Sequence, residues 1–234
     1  MWMRIVWMAL LGLLWGPSLA WAARPFMTDD ARMTTAGSCQ LESWTRRSAD
    51  RTEQWALPAC NPSGRLEITA GGAALRDTQG GHGADAVLQV KTLFKTMSPN
   101  GWGVGMALGQ VRHSPHHASD LAQGQTYAYV PVSVSFLDDR WVSHTNVGWA
   151  RDRAHGRDQF TWGAGLEFQF NERWMWIAET FGHDRQKPLW QTGLRYQLLP
   201  GVLQLDATWG APQGQRWSQN WMSLGLRWTP QKFP

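Results

Sequence analysis

The stretch FTWGAGLEFQF, which runs from Phe160 to Phe170, alternates strictly between two kinds of residue. One set is apolar or aromatic and comprises Phe160, Trp162, Ala164, Leu166, Phe168 and Phe170. The residues between them are Thr161, Gly163, Gly165, Glu167 and Gln169. Successive side chains of a β-strand point to opposite faces, so this period of two predicts a strand with one apolar and one polar face. The fold depends on whether protein or lipid covers the apolar face.

The composition favours a single all-β domain. The chain has 234 residues, among them 24 Gly and 17 Trp. Its mean hydropathy of −0.40 is too low for a bundle of transmembrane helices. The net charge is +4 and the sequence contains no run of Lys and Arg, so we expect no nucleic-acid partner.

The N-terminus has the features of a secretory signal peptide. Arg4 precedes an apolar run from Ile5 to Trp15, and Ala20-Trp21-Ala22 has a small-x-small cleavage pattern. The alternative, a membrane anchor, is less favoured because the run is short for a bilayer span. We therefore expect residues 1–22 to be cleaved from an exported protein that has no transmembrane helix.

The exported part contains two cysteines, Cys39 and Cys60. An even number of cysteines in an oxidising compartment such as the periplasm predicts one disulfide. We interpret it as structural, because no neighbouring residue pattern would activate a thiol, and we expect no metal site there.

Segments with a period of two recur along the rest of the chain. We count twelve, most of them as long as the ~9–11 residues that a tilted strand needs to cross a bilayer. Their approximate bounds are 38–47, 53–60, 64–76, 85–95, 102–113, 125–137, 140–152, 158–170, 172–184, 188–198, 202–210 and 219–229.

The connections between these segments fall into two interleaved sets. The tight set lies at 61–64, 98–101, 138–139, 171–172 and 200–201, and the mostly longer set at 48–52, 78–84, 114–124, 153–157, 184–187 and 211–219. Short turns on one side and longer loops on the other are typical of outer-membrane barrels. The sequence therefore predicts a transmembrane antiparallel up-and-down β-barrel of about twelve strands, with both termini in the periplasm.

The two faces of the segments agree with this fold. Outward candidates include Val130, Val132, Val134 and Phe136, whereas the last segment alternates Met222, Leu224, Leu226 and Trp228 with polar residues. Five Trp residues lie near the tight turns, and five lie near the longer loops: Trp102, Trp141, Trp174, Trp176 and Trp228, then Trp149, Trp162, Trp190, Trp209 and Trp221. Two aromatic girdles are expected of a membrane barrel. The alternative, a soluble β-sandwich, would need neither the alternating connection lengths nor the two bands of Trp.

The segment after the signal peptide resembles the start of the family labelled "MetA-pathway of phenol degradation", a group of outer-membrane barrel or transporter-like proteins. The matching residues are Arg24-Pro25, Thr28-Asp29-Asp30-Ala31, Gly37 and Gln40-Leu41-Glu42. The resemblance implies transport or permeation of small molecules, with aromatic solutes as candidates.

Residues 23–37 show little alternation before the barrel at 38–234. They form either a plug in the lumen or an ordered periplasmic tail. Asp29 and Asp30 are the plug candidates, as partners of lumenal arginines or as ligands of a cation.

Charged residues recur at inward positions of the segments. The candidates for the lumen lining are Glu42, Glu67, Lys91, Lys95, Glu167, Glu179, Arg195, Asp206 and Arg227. They either line a small polar pore or pair across the lumen and hold the barrel closed, and for each single residue the structural role is favoured.

Two further motifs are weak evidence for chemistry. SHTNVG, from Ser143 to Gly148, resembles the H-x-S-N pattern of outer-membrane lipid hydrolases, but no serine stands two residues after His144. RHSPHH supplies His113, His116 and His117 in the longest loop, where metal capture is disfavoured. We expect no catalytic residue, metal or cofactor.

The sequence thus predicts an outer-membrane barrel for passive permeation of small solutes, with aromatic or hydrophobic solutes as candidates. The alternatives are a closed structural or adhesion-type barrel and, less favoured, a hydrolase. The expected partners are outer-membrane lipid, a small-molecule solute and the barrel assembly machinery. The last segment has the alternating apolar residues of a barrel assembly signal, but it departs from that signal because Phe233 is penultimate and Pro234 is last.

Overall fold

The computed structural model describes residues 26–114, 125–153, 155–214 and 219–230. The expected signal peptide, His116, His117 and the last four residues lie outside these ranges. The described residues form twelve strands: β1 (Ser38–Ser48), β2 (Arg51–Asn61), β3 (Glu67–Asp77), β4 (His82–Lys95), β5 (Trp102–His113), β6 (Gln125–Phe136), β7 (Trp141–Asp152), β8 (Arg157–Gln169), β9 (Trp174–His183), β10 (Leu189–Leu199), β11 (Leu203–Pro212) and β12 (Trp221–Trp228).

The twelve strands close into one antiparallel barrel. Each strand pairs with its neighbours in sequence, and β1 pairs with β12 over eight register positions, from Leu41 opposite Trp228 to Ser48 opposite Trp221. Closure gives every strand two hydrogen-bonded neighbours, so the sheet has no free edge. The predicted all-β barrel of about twelve strands is confirmed. Among the described residues, no helix is long and apolar enough to cross a membrane.

The alternation of connection lengths is weaker than the sequence indicates. A longer loop is expected after β1, but only two residues separate Ser48 from Arg51. The connection is short because the β1–β2 ladder continues almost to the end of the hairpin. The long connections that remain are 114–124 and 213–220, both at the same end of the barrel. We call this the loop end, and the opposite end, where both β1 begins and β12 ends, the turn end.

The alternation within each strand gives the barrel an apolar outside and a polar inside. Large apolar side chains are exposed on the outer face, with Met222 at 66% and Leu224 at 68%, whereas Ser223 between them is buried. The same pattern holds in β8, where Phe160 is exposed and Glu167 is buried. The buried set is therefore rich in polar and charged residues, the reverse of a soluble protein.

The predicted disulfide between Cys39 and Cys60 is confirmed. The two residues are register partners in β1 and β2, with 4.0 Å between their Cα atoms. Their neighbours Ser38 and Asn61 are buried on the opposite face. The disulfide thus joins the first hairpin near the turn end.

Two sequence assignments are wrong. Lys95 does not face the lumen, because a β-bulge between Leu93 and Lys95 inverts the alternation and leaves Lys95 exposed, with Nζ 3.6 Å from the centroid of the Trp102 ring. Trp221 lies toward the loop end as expected but does not belong to an outer girdle, because it is on the inner face of β12, only 8% exposed, beneath the Arg46 guanidinium.

Candidate functional site

Residues 26–37, called the N-terminal segment below, lie against inward-facing side chains of the barrel. The N–H groups of Met27 and Thr28 donate to the two carboxylate oxygens of Glu179, at 2.8 and 2.7 Å. The N–H of Ala31 donates to Oγ of Ser133 at 2.8 Å. Because the segment has no regular secondary structure, wall side chains supply partners that its backbone would otherwise lack.

The part of the segment nearest to β1 is bonded in the same way. The N–H and the Oγ1 of Thr34 both donate to one carboxylate oxygen of Glu67, each at 2.6 Å. The Asn61 amide donates to the carbonyl oxygen of Thr34 at 2.7 Å. The segment therefore enters the barrel from the turn end and is bonded to β2 and β3 before it reaches β6 and β9.

Asp29 and Asp30, the plug candidates, form ion pairs with the barrel wall. The Lys91 ammonium lies 3.0 Å from Oδ1 of Asp29 and 3.5 Å from Oδ1 of Asp30. The hydroxyl of Tyr129 donates to Oδ2 of Asp29 at 2.6 Å. Arg32 in turn lies 3.3 Å from Oε2 of Glu167 on β8. The described residues contain no group of three His, Cys, Asp or Glu residues arranged to hold a metal ion.

Two glycines of the opening stretch make room for the segment. A Cβ atom built on Gly165 would overlap Cε1 of Phe26, and one built on Gly163 would lie 2.6 Å from Oγ1 of Thr28. Any larger residue at these inward positions of β8 would therefore collide with the segment. The glycines that interrupt the polar face of this stretch are the surface on which Phe26 and Thr28 pack.

A buried ion network crosses the wall beside the segment. Nε of Arg195 lies 2.7 Å from Oδ1 of Asp206, and its Nη1 lies 2.5 Å from Oε1 of Glu167. Arg195 and Asp206 are register partners on β10 and β11. Each charge is thereby opposed by an opposite charge, as a buried ion requires.

All eight of the remaining charged lumen candidates are buried: Glu42, Glu67, Lys91, Glu167, Glu179, Arg195, Asp206 and Arg227. Glu42 and Arg227 are register partners across the β1–β12 seam. The other six contact the N-terminal segment or belong to the network around Arg195.

A serine, a histidine and a carboxylate meet beneath the segment, an arrangement that the sequence analysis missed. Oγ of Ser133 lies 2.8 Å from Nδ1 of His144, and Nε2 of His144 lies 3.5 Å from Oε2 of Glu167. Ser133 and His144 are register partners in the β6–β7 hairpin, so counting outward from the turn at 138–139 would have paired them.

These are the residue types of a hydrolytic triad, but their surroundings do not suit catalysis. Ser133, His144 and Glu167 are 0%, 1% and 1% exposed, and the Ser133 hydroxyl accepts the Ala31 N–H. The Glu167 carboxylate is shared with Arg195 and Arg32, which reduces its capacity to stabilise an imidazolium. In this structure the three side chains close the lumen wall and hold the segment.

A cavity of about 460 Å³ lies at the loop end, on the other side of the segment. Met27 contributes to its lining, together with Tyr129 and Phe181. Three cations also line it, Arg157, Arg185 and Lys187, none of which the sequence analysis selected. Arg185 and Lys187 lie in the β9–β10 connection, where no strand periodicity marks a side chain as inward, and Arg157 is the first residue of β8, one position before the predicted segment at 158–170 begins. We call this space the loop-end cavity.

The described histidine of the RHSPHH motif is not part of this cavity. His113 ends β5, where its Nδ1 lies 2.5 Å from Oδ1 of Asp85 on β4. The contact is a cross-strand pair within the barrel wall, since Asp85 and His113 are register partners.

The closed twelve-stranded barrel with an apolar exterior defines the class of protein as a β-barrel of the outer-membrane type. The chain belongs to the family described as "Uncharacterised conserved protein UCP029691", whose model matches residues 10–228. The resemblance to the "MetA-pathway of phenol degradation" family is therefore not confirmed. No curated protein matches the chain.

Solved structures with a similar fold include both porins and an enzyme. The KdgM porin in complex with disordered oligogalacturonate has a TM-score of 0.63 at 8% identity, covering 81% of this chain and 98% of that chain. The NanC porin has a TM-score of 0.57 at 11% identity, with coverages of 81% and 98%. Outer membrane phospholipase A from Escherichia coli has a TM-score of 0.50 at 9% identity, with coverages of 92% and 96%. At these identities the likeness concerns the fold, which by itself does not determine the function.

Proposed function

We propose that the protein is an outer-membrane channel for small solutes, and that the N-terminal segment is a plug in its lumen. The observation that carries this proposal is the set of bonds between the segment and inward side chains of the wall. Glu67 on β3, Lys91 on β4, Ser133 on β6, Glu167 on β8 and Glu179 on β9 all take part.

The exterior of the barrel supports the membrane location. Exposed apolar side chains such as Leu88, Leu194 and Leu224 would be unfavourable in water but suit acyl chains. Exposed tryptophans occur at both ends, for example Trp102 at the turn end and Trp149 at the loop end, where they would form the girdles. In this proposal the signal peptide directs export, and lipid and the barrel assembly machinery are the partners of the outer face.

The contacts between the N-terminal segment and the barrel wall are of a kind that can be broken without unfolding the barrel. They are hydrogen bonds and ion pairs to side chains, and apart from Phe26 the buried apolar contacts of the segment are small. Displacement of the segment would leave Lys91, Glu179 and Glu67 to line the passage that it now fills. These side chains would then select solutes by charge.

The nature of the solute follows from the same lining. The expectation of an aromatic or hydrophobic solute rests on the family resemblance alone, whereas the loop-end cavity offers cations and amides. Such a lining favours a water-soluble, polar solute, because a hydrophobic one would leave these groups without partners.

Conductance across a planar bilayer tests the channel and the plug together. The mature chain, beginning at Ala23, is refolded beside a second chain that lacks residues 24–37. We expect small or rare current steps from the mature chain and larger steps from the shortened one. Folding of both chains is checked by heat-modifiable gel mobility. Silence from both folded proteins would contradict the channel, and equal steps from both would contradict the plug.

A closed structural barrel is the second candidate function. The observation that favours it is the complete pairing of Arg195 with Glu167 and Asp206, which holds three wall strands together. The same bilayer experiment separates the two candidates, because a structural barrel stays silent even without residues 24–37.

A further inference from the structure

The loop-end cavity has a cationic rim that the plug does not use. Arg157 reaches it from the first position of β8, and Arg185 and Lys187 reach it from the β9–β10 connection. In the described part of the chain, none of the three forms a salt bridge with a carboxylate. Among the described residues of the lining, Asp152 carries the acidic group; it is the register partner of Arg157, and its Oδ2 lies 2.7 Å from Nδ1 of His155. The rim therefore carries an excess of positive charge that faces the cavity.

Below the rim, the lining changes to neutral polar groups and aromatic rings. The side chains of Gln125 and Gln159 face the cavity from β6 and β8, and Phe181 and Tyr129 lie deeper, beside Met27 of the plug. Amides both donate and accept hydrogen bonds, so they suit hydroxyl groups. An aromatic ring offers a flat apolar face, against which the C–H face of a sugar ring packs.

We propose that the loop-end cavity binds a small sugar acid, with its carboxylate at the cationic rim and its hydroxyls at the amides. A volume of about 460 Å³ is within the usual range for small-molecule sites of roughly 300–1,000 Å³. A carboxylate supplies the charge that the rim lacks, and charge-assisted hydrogen bonds of this kind are the strong ones. The inference rests on the proposed function, because it names the class of solute that would enter such a channel.

Binding to the closed protein tests this inference without any need for current. The refolded full-length chain in detergent micelles is titrated by calorimetry with galacturonate and, separately, with galactose. The two probes share the pyranose ring and differ in the carboxylate. We expect galacturonate to bind at least about tenfold more tightly than galactose, since a tenfold ratio corresponds to one charge-assisted bond. The difference should shrink at 1 M salt, where the Debye length is about 3 Å.

A matched pair of double variants locates the binding. Arg185→Gln with Lys187→Gln removes two charges from the rim, whereas Arg76→Gln with Arg112→Gln removes two exposed charges near the same end that do not line the cavity. We expect the first pair to weaken galacturonate binding about fivefold, after allowance for solvent screening, and the second pair to change it less than about twofold.

Equal binding of galacturonate and galactose would overturn the inference, as would equal losses in the two double variants. The outcome is independent of the conductance test. Galacturonate binding in a barrel that stays silent without residues 24–37 would support the cavity and contradict the channel. Current steps without any binding of galacturonate would do the reverse.

Discussion

The ring of Phe26 packs against the backbone of Gly165, so closely that a methyl group at position 165 would overlap its Cε1 atom. The same ring meets the imidazole of His144 edge to face, with 6.2 Å between the centroids. Phe26, at the beginning of the N-terminal segment, thus packs on the inner face of β7 and β8, where the absence of a side chain at Gly165 makes room for its ring.

The first prediction follows from this contact. Gly165→Leu should displace Phe26 and loosen the plug, because four added carbon atoms cannot share its space. We expect larger or more frequent current steps than the unchanged chain gives, and faster proteolysis within residues 26–37. Ala164→Leu is the control, because it enlarges an exposed, outward-facing residue of the same strand. Steps that are unaltered in Gly165→Leu, with folding intact, would count against the plug.

The second prediction concerns the carboxylate that accepts two backbone N–H groups. Glu179→Ala leaves the amides of Met27 and Thr28 without acceptors, and hydrogen bonds to a charged group are worth about 1.5–3 kcal/mol each. Hydrogen exchange at these two amides should therefore accelerate at least about tenfold, as measured by mass spectrometry on peptides that cover residues 26–31.

Two further variants sharpen the Glu179 experiment. Glu179→Gln keeps one acceptor oxygen and should give an intermediate rate of exchange. Glu172→Ala, at an exposed position in the β8–β9 connection, should leave exchange in the segment unchanged. If exchange at Met27 and Thr28 does not respond to Glu179→Ala, the segment is not held by this carboxylate.

The third prediction concerns the buried ion network. Arg195→Met removes the cation that opposes Glu167 and Asp206, and breaking a buried pair in this way costs about 3–5 kcal/mol. The midpoint of urea unfolding in detergent should fall strongly. Adding Glu167→Gln and Asp206→Asn should restore most of the loss, because the two uncompensated charges are removed. A triple variant as unstable as Arg195→Met would show that the loss comes from packing and not from charge.

The fourth prediction concerns the disulfide. Cys39 and Cys60 are 21 positions apart, and the chain-entropy model gives about 3 kcal/mol for a loop of this length. A reductant should lower the unfolding midpoint of the unchanged chain and have no effect on the Cys39→Ala and Cys60→Ala double variant. The current steps of the unchanged chain and of the double variant should be the same when both are folded, because the disulfide lies outside the lumen.

The fifth prediction concerns Ser133. A fluorophosphonate probe should not label the folded full-length chain, because the hydroxyl is fully buried and already bonded to Ala31 and His144. Labelling is read by mass spectrometry, with Ser133→Ala as the control. Labelling that disappears in Ser133→Ala would revive the hydrolase alternative.

The strands and their number could be predicted from the sequence because the signal for a strand is local. Alternation within about ten residues shows which side chains share a face, and it placed Glu67, Lys91, Glu179 and Arg195 on the side that is buried. It failed at Lys95, where one extra residue in β4 inverts the faces. It also overstated the connection after Ser48, because a hairpin ladder can extend into polar residues.

The position of the N-terminal segment was decided by the tertiary structure. Met27 and the carboxylate that binds it are 152 positions apart, and no periodicity relates them. Two cations of the loop-end cavity, Arg185 and Lys187, likewise lie in a connection, whose side chains have no assigned face until the barrel closes. The sequence by itself determined twelve two-faced strands and one cysteine pair, since these depend on near neighbours. Closure of β1 on β12 determined what meets inside the barrel, because only a closed lumen brings side chains from distant strands within bonding distance.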